Sequence, residues 1–437
     1  MGKHPKGLLI LFFTEMWERF SFYGMRAILV LYITKETVGD NPGLGWNSAE
    51  AMALFGWYLG IVYFMSFPGG ILADRFLGQK KSVLLGGLLI IAGQFSLVSN
   101  SIEMFYIGLT LLVMGVGLLK PNISTMVGGL YKEGDPRRDN GFIIFYMGIN
   151  VGAFAAPLLV GYIGEVYGWH YGFGLAGIGM ILGLIVYLWG QKYLEEVGNF
   201  MPTKKIEGTN TNAPLTKIEK DRVIVLLISF LIVIVFWAAY EQAGGLMNLF
   251  TRDSIDRVVF GWEIPTGMFQ SVPALFVIMF GFPVAWLWSK RQTRGKETSS
   301  IFKMAIGTMV MGTGFLMLSA AVIELDAVDG RKAMLVWLVA AYLLHVIGEL
   351  SLSPVALSFI TKLAPLKYSS MMMGLYFAAT GLGGKLAGML GELAQHAGEF
   401  EVFTGIFVFC VLFGLLLLVF FKKLKALTHG AEEMYHE

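Results

Sequence analysis

The sequence predicts an all-α polytopic membrane protein with twelve transmembrane helices in two six-helix bundles. Three observations carry that reading. Of 437 residues, 56% are hydrophobic and 15% charged, whereas soluble domains carry about 25% charged residues. Twelve apolar runs are each long enough to cross the hydrocarbon core of a bilayer. The longest polar loop divides those runs six and six. Such a chain packs helices side by side rather than around one water-excluding core, and its 55 glycines suit close helix contact in lipid. A net charge of +2 gives no nucleic-acid signal. The lone Cys410 excludes an intramolecular disulfide and a cysteine metal cluster.

The apolar runs fall at 8–34, 49–72, 82–98, 104–128, 140–163, 172–193, 222–250, 265–289, 299–324, 332–361, 369–395 and 401–425. The first begins like a signal peptide. It is not read as one, because it stays apolar to Thr34, holds Glu and Arg, and lacks a small-residue cleavage site. Runs longer than 25 residues imply tilt or protruding ends. The N-terminal tail, the even-numbered loops and the C-terminal tail hold about 23 Lys and Arg, the other loops about 5. The positive-inside rule therefore expects both termini in the cytoplasm. The expected division is a bundle over 1–193, a cytoplasmic linker over 194–221 and a second bundle over 222–437.

Two bundles of six, with the substrate site where they meet, is the build of major-facilitator-type transporters. Gly69 to Lys81 (G-G-I-L-A-D-R-F-L-G-Q-K-K) resembles the short loop signature of the major facilitator superfamily. Asp74 and Arg75 are expected to bind neighbouring helix ends and latch one conformation.

Ionisable residues within the spans are Glu15, Glu18, Arg19 and Arg26 on helix 1, Lys120 on helix 4, Glu241 on helix 7, Glu349 on helix 10 and Lys385 on helix 11, with the amide Asn150 on helix 5. A charge at mid-bilayer costs about 2.5–3.5 kcal/mol on the most lenient scale, so such residues face a cavity or a partner. Helices 1, 4 and 5 correspond by position to helices 7, 10 and 11, so both halves carry charge on the same subset. Counting 1.5 Å per residue from the cytoplasmic ends puts Glu18, Arg19, Lys120, Asn150 and Glu349 roughly 14–18 Å deep and Arg26 and Glu241 about 27–28 Å deep. Glu15, Arg19, Tyr23 and Arg26 share one helix face. Purely structural pairing of these charges is the bland alternative.

The run from Glu15 to Arg26 (E-M-W-E-R-F-S-F-Y-G-M-R) resembles the helix-1 signature of the proton-dependent oligopeptide transporter family. Gly115 to Ser124, Phe145 to Ala153, Phe236 to Gln242 and Gly348 to Pro354 resemble its motifs on helices 4, 5, 7 and 10, in order and across nearly the whole chain. The resemblance implies proton-coupled symport of di- and tripeptides across the plasma membrane by alternating access, with the proton as coupling ion, no other cofactor, no metal and a monomeric chain. It implies a proton-coupling network of Glu15, Glu18, Arg19 and Lys120, with Glu241 coupled to Arg26 across the halves as a gate. Arg19 and Lys120 would attract the peptide carboxylate, and Asn150 and Glu349 would hold its amino end. Tyr23, Tyr63, Trp237, Tyr376 and Ser353 match pocket positions.

The chain also departs from the family pattern. The linker is too short for the two extra helices of many bacterial members. Gln270-Ser271 is followed by Val272-Pro273, so a helix-8 pocket amide is missing. Tyr376 stands where a tryptophan is common, and none of the six histidines falls on a family site; His345 reads as a packing residue. A bipolar cavity suits a zwitterion, and main-chain and terminal recognition would admit many side chains. The alternatives are the same fold carrying another zwitterion or nitrate, a non-transporting receptor, or a membrane enzyme. The last has no H-E-x-x-H or G-x-S-x-G to support it.

Overall fold

The computed structural model describes residues 4–132, 135, 137–195, 197–199, 215–327, 331–365 and 369–431. Among the described residues there are twelve long helices: α1 Lys6–Thr34, α2 Ser48–Leu72, α3 Gln79–Leu97, α4 Ile102–Gly129, α5 Arg138–Ala156 and α6 Trp169–Trp189, then α7 Lys217–Tyr240, α8 Ser271–Thr293, α9 Ser300–Ala327, α10 Leu335–Leu363, α11 Ser369–Ala397 and α12 Glu399–Ala426. α5 continues through a π turn, Pro157–Gly161, to Val166, and α7 through a 3-10 turn, Glu241–Gly244, to a helix at Leu246–Ser254. Among the described residues, ten helices hold an 18-residue window apolar enough to cross a membrane. α1 is not one of them, since every such window in it contains at least three charged residues.

Local chemistry sets the helix starts. The Asn47 side chain accepts from the Glu50 N–H at 2.8 Å and caps α2. At α7, Thr216 and Glu219 form a reciprocal capping box. That box starts the helix at Lys217 rather than at the expected 222, so 217–221 belong to the span. Most of the remaining linker lies outside the described residues.

The chain forms two compact units, Met1–Lys204 with Arg257–Leu275 and Lys205–Asp256 with Phe276–Glu437. In the first, α3 packs on α4 and α6, α1 on α5 and α6, and α2 on α4. In the second, α9 packs on α10 and α12, and α7 on α11. The pairings 3–4, 3–6 and 1–5 thus recur six helices later. The division at 194–221 assigned residues 257–275 to the second bundle, but they pack with the first. A carboxylate holds them there: Glu165 Oε2 accepts from the Thr266 N–H at 3.0 Å, and Oε1 accepts from the Gly267 N–H. Preceding this contact, a small hairpin pairs Val258–Val259 with Trp262–Glu263. Its turn residues Phe260 and Gly261 both have positive φ, 51° and 81°, matching a tight hairpin connection.

One helix crossing in the first unit brings backbone against backbone. A Cβ on Gly69 would lie 2.1 Å from the Gly117 carbonyl oxygen, so α2 and α4 touch only because both positions lack side chains. Gly70, one residue on, has nothing within 4 Å of such a Cβ. Gly69→Ala should therefore force the helices apart and cost about 1–3 kcal/mol, while Gly70→Ala should be neutral. Thermal unfolding of both variants in detergent checks this, and equal midpoints would contradict it.

Candidate functional site

In the first unit the charges of α1 form one cluster. Arg19 Nε lies 3.1 Å from Glu15 Oε1 and also donates to Glu18 Oε2. All three side chains are buried, with Glu18 fully so. One cation is thus flanked by two carboxylates. Oε2 of Glu15, Oε1 of Glu18 and Nη2 of Arg19 remain buried without a hydrogen-bond partner among the described residues. An unsatisfied buried polar atom costs about 1–3 kcal/mol, so the cluster has capacity for a proton or a polar ligand. Lys120 on α4 sits with Nζ 4.2 Å from the Tyr63 ring centroid and close enough to Glu15 to act on its charge.

The Arg19 guanidinium lies 5.3 Å from the Phe22 ring, and that of Arg26 5.8 Å from Tyr23. α5 approaches α1 closely beside Arg19. A Cβ on Gly152 would lie 2.2 Å from the Met16 carbonyl oxygen and 3.1 Å from Arg19 Cβ. That contact brings Asn150 into the unit; its Nδ2 donates to the Tyr146 carbonyl at 2.9 Å.

Asp74 and Arg75 stand exposed on a π turn, Ala73–Leu77, and neither side chain makes a hydrogen bond or ion pair among the described residues. Asp74 lines a cavity of about 960 Å³ with Gly128 and Gly129 at the end of α4 and Arg138 at the start of α5. The positive φ of Gly78, 76°, ends the turn.

In the second unit, Glu241 lies in the 3-10 turn that interrupts α7 and is buried. Next to it, Gln242 Nε2 donates at 3.0 Å to the carbonyls of Ala238 and Ala387, tying α7 to α11. Glu349 on α10 accepts from the Tyr240 hydroxyl. Trp237 stands edge-on to Tyr240, ring centroids 5.3 Å apart, and near the buried Tyr376. Among the described residues the buried Ser353 Oγ has no hydrogen-bond partner, and Lys385 is half-buried on α11. Glu349, Tyr240, Trp237 and Tyr376 therefore form one cluster. Arg26 lies in the first unit and Glu241 in the second, both buried.

His345 packs against Phe315, ring centroids 4.6 Å apart. Among the described residues no group of His, Cys, Asp and Glu is placed to hold a metal ion.

Sequence reasoning did not single out Tyr58, Tyr240 or Glu165. Tyr58 on α2 stacks on Phe22 and buries its hydroxyl, which has no hydrogen-bond partner among the described residues, beside Glu18, Arg19 and Arg26. In a chain that is 14% aromatic no spacing marks it. Tyr240 lay inside a quoted motif, directly before Glu241. Glu165 is fixed from behind by Asn41, whose Nδ2 donates to the Gly164 carbonyl at 2.8 Å and whose Oδ1 accepts from the Trp169 N–H at 3.0 Å. That contact spans more than a hundred residues and leaves no local pattern.

Comparison with known proteins gives consistent matches along the chain. Residues 80–206 and 201–404 match the family model described as the POT family. A peptide transporter of Yersinia enterocolitica is 35% identical, over 98% of this chain and 97% of that protein. A di-/tripeptide transporter of Lactococcus lactis is also 35% identical, over 97% of this chain and 96% of its own. The crystal structure of a POT peptide transporter in complex with sulfate superposes with a TM-score of 0.89 at 35% identity, covering 97% of this chain and 96% of that one.

Proposed function

The chain belongs to the POT family of transporters, and on that premise we propose that it is a proton-coupled symporter of di- and tripeptides. The observation that carries the reading is the buried Glu15–Arg19–Glu18 cluster with Lys120 beside it. A peptide carboxylate drawn to Arg19 and Lys120 competes with Glu15 and Glu18 for positive charge. A carboxylate that loses its cation in a low dielectric binds a proton instead. Cargo and proton then enter together, and each leaves more readily once the other has gone.

Asn150 and Glu349 hold the amino end of the peptide in this proposal, Glu349 being oriented by the Tyr240 hydroxyl. Tyr23, Tyr63, Trp237, Tyr376 and Ser353 line the path. Arg26 and Glu241 act as a gate pair that protonation of Glu241 releases, and the two bundles rock to expose the site to each side in turn. Asp74 and Arg75 latch one conformation by binding neighbouring helix ends. The protein works as a monomer in the plasma membrane with both termini cytoplasmic, and the proton is its only cofactor.

The test is uptake into proteoliposomes with an inward proton gradient. Labelled dialanine should accumulate above its external concentration, and a protonophore should abolish the accumulation. Nitrate should not compete, and mass spectrometry should recover the peptide intact. Absence of both peptide accumulation and peptide-driven proton entry would sink the proposal, and competition by nitrate would redirect it to an anion.

A further inference from the structure

A second charged feature of the molecule lies outside the intramembrane clusters. At the end of the second unit where α8, α10 and α12 finish and α9 begins, there is a cavity of about 390 Å³. Four separate segments each bring a lysine to its lining: Lys296 from the α8–α9 loop, Lys303 from the start of α9, Lys362 from the last turn of α10 and Lys425 from the last turn of α12. Among the described residues the lining holds a single carboxylate, Glu297, which is already engaged. It lies 3.1 Å from Lys425 Nζ and accepts from the Ser299 N–H at 2.8 Å. Arg291 Nε fixes the loop by donating to the Glu297 carbonyl at 2.9 Å.

Two further observations point to an anionic ligand. Ser299, also in the lining, is only 8% exposed, and its Oγ has no hydrogen-bond partner among the described residues. Ser300 begins the 28-residue α9 at the same lining, so the positive end of that helix lies there too. Indole rings on the same helix end mark headgroup depth: Trp286 is exposed with Lys290 Nζ 4.4 Å from its ring centroid, and Lys303 Nζ lies 5.8 Å from that of Trp288.

We propose that this cavity binds a phosphate-bearing anion, supplied either by an acidic phospholipid headgroup or by free phosphate. The lysines supply the attraction, and the Ser299 hydroxyl and the first-turn amides of α9 supply directed bonds to the phosphate oxygens. Basic pockets between helix ends bind anionic headgroups in this way, and headgroup depth favours the lipid source. The proposal is independent of what the protein transports, since no residue of the intramembrane clusters takes part.

The experiment uses the full chain in nanodiscs of phosphatidylcholine alone, of phosphatidylcholine with phosphatidylglycerol, and of phosphatidylcholine with added inorganic phosphate. Thermal unfolding midpoints and native mass spectrometry of retained lipid are the readouts. Phosphatidylglycerol should raise the midpoint and stay bound, and retention should weaken about fivefold for each lysine removed in Lys303→Gln and Lys362→Gln. Stabilisation by inorganic phosphate but not by phosphatidylglycerol would keep the site and assign it a soluble ligand. Should either of these variants misfold, Lys296→Gln, in the exposed loop, carries the same comparison. The proposal fails if neither probe acts, or if the variants respond as the wild type does.

Discussion

Arg19→Met should cost the folded protein about 3–5 kcal/mol, the range for removing one partner of a buried ionic group. The methionine fills a similar volume, so the cost is electrostatic rather than a cavity. Glu15 and Glu18 would be left as neighbouring buried carboxylates, one of them fully enclosed, without the guanidinium that both now face. The effect should appear as a large fall in the unfolding midpoint of the purified protein. The triple variant Arg19→Met, Glu15→Gln, Glu18→Gln should recover most of that loss, because neutral amides can share the site where two carboxylates cannot. Transport should stay absent in both. An unchanged midpoint for Arg19→Met alone would show that the three side chains are not one energetic unit.

Glu18→Gln should separate coupling from binding. The amide keeps the shape of the side chain but cannot exchange a proton, while Arg19 keeps Glu15 at 3.1 Å. Folding should therefore survive. Uphill, gradient-driven uptake should fall to equilibration, while exchange of internal for external peptide at equal pH should continue near the wild-type rate. Loss of both activities with a normal midpoint would make Glu18 a binding residue, and a fall in the midpoint would make it a structural one.

The first cluster was legible in the sequence because a helix translates spacing into proximity. Glu15 and Arg19 stand four apart, and their charge in an apolar run has no neutral explanation. The twelve helices were legible for the same reason that hydropathy works at all: in lipid every backbone polar group must bond within its own segment. What stayed hidden depends on contacts between distant parts of the chain. The Tyr58 hydroxyl acquires its meaning from α1, and the Tyr240 hydroxyl from Glu349 on α10. Residues 257–275 join the first unit because Glu165 binds two of their amides, an interaction with no periodicity to reveal it. The start of α7 is written in the sequence as T-x-x-E before an apolar run, but hydropathy alone placed it five residues late. Asp74 and Arg75 carry a recognisable signature, yet a signature records what a loop can do and not the conformation it occupies.

The backbone-to-backbone crossings also bear on how such a protein can evolve. Where Gly69 faces Gly117 there is no side chain to exchange for a larger or smaller one, so those positions cannot be used to resize the interior. Under the proposed function, variation that shifts substrate range falls on side chains such as Tyr63, Trp237 and Tyr376, while the glycines leave the architecture unaltered.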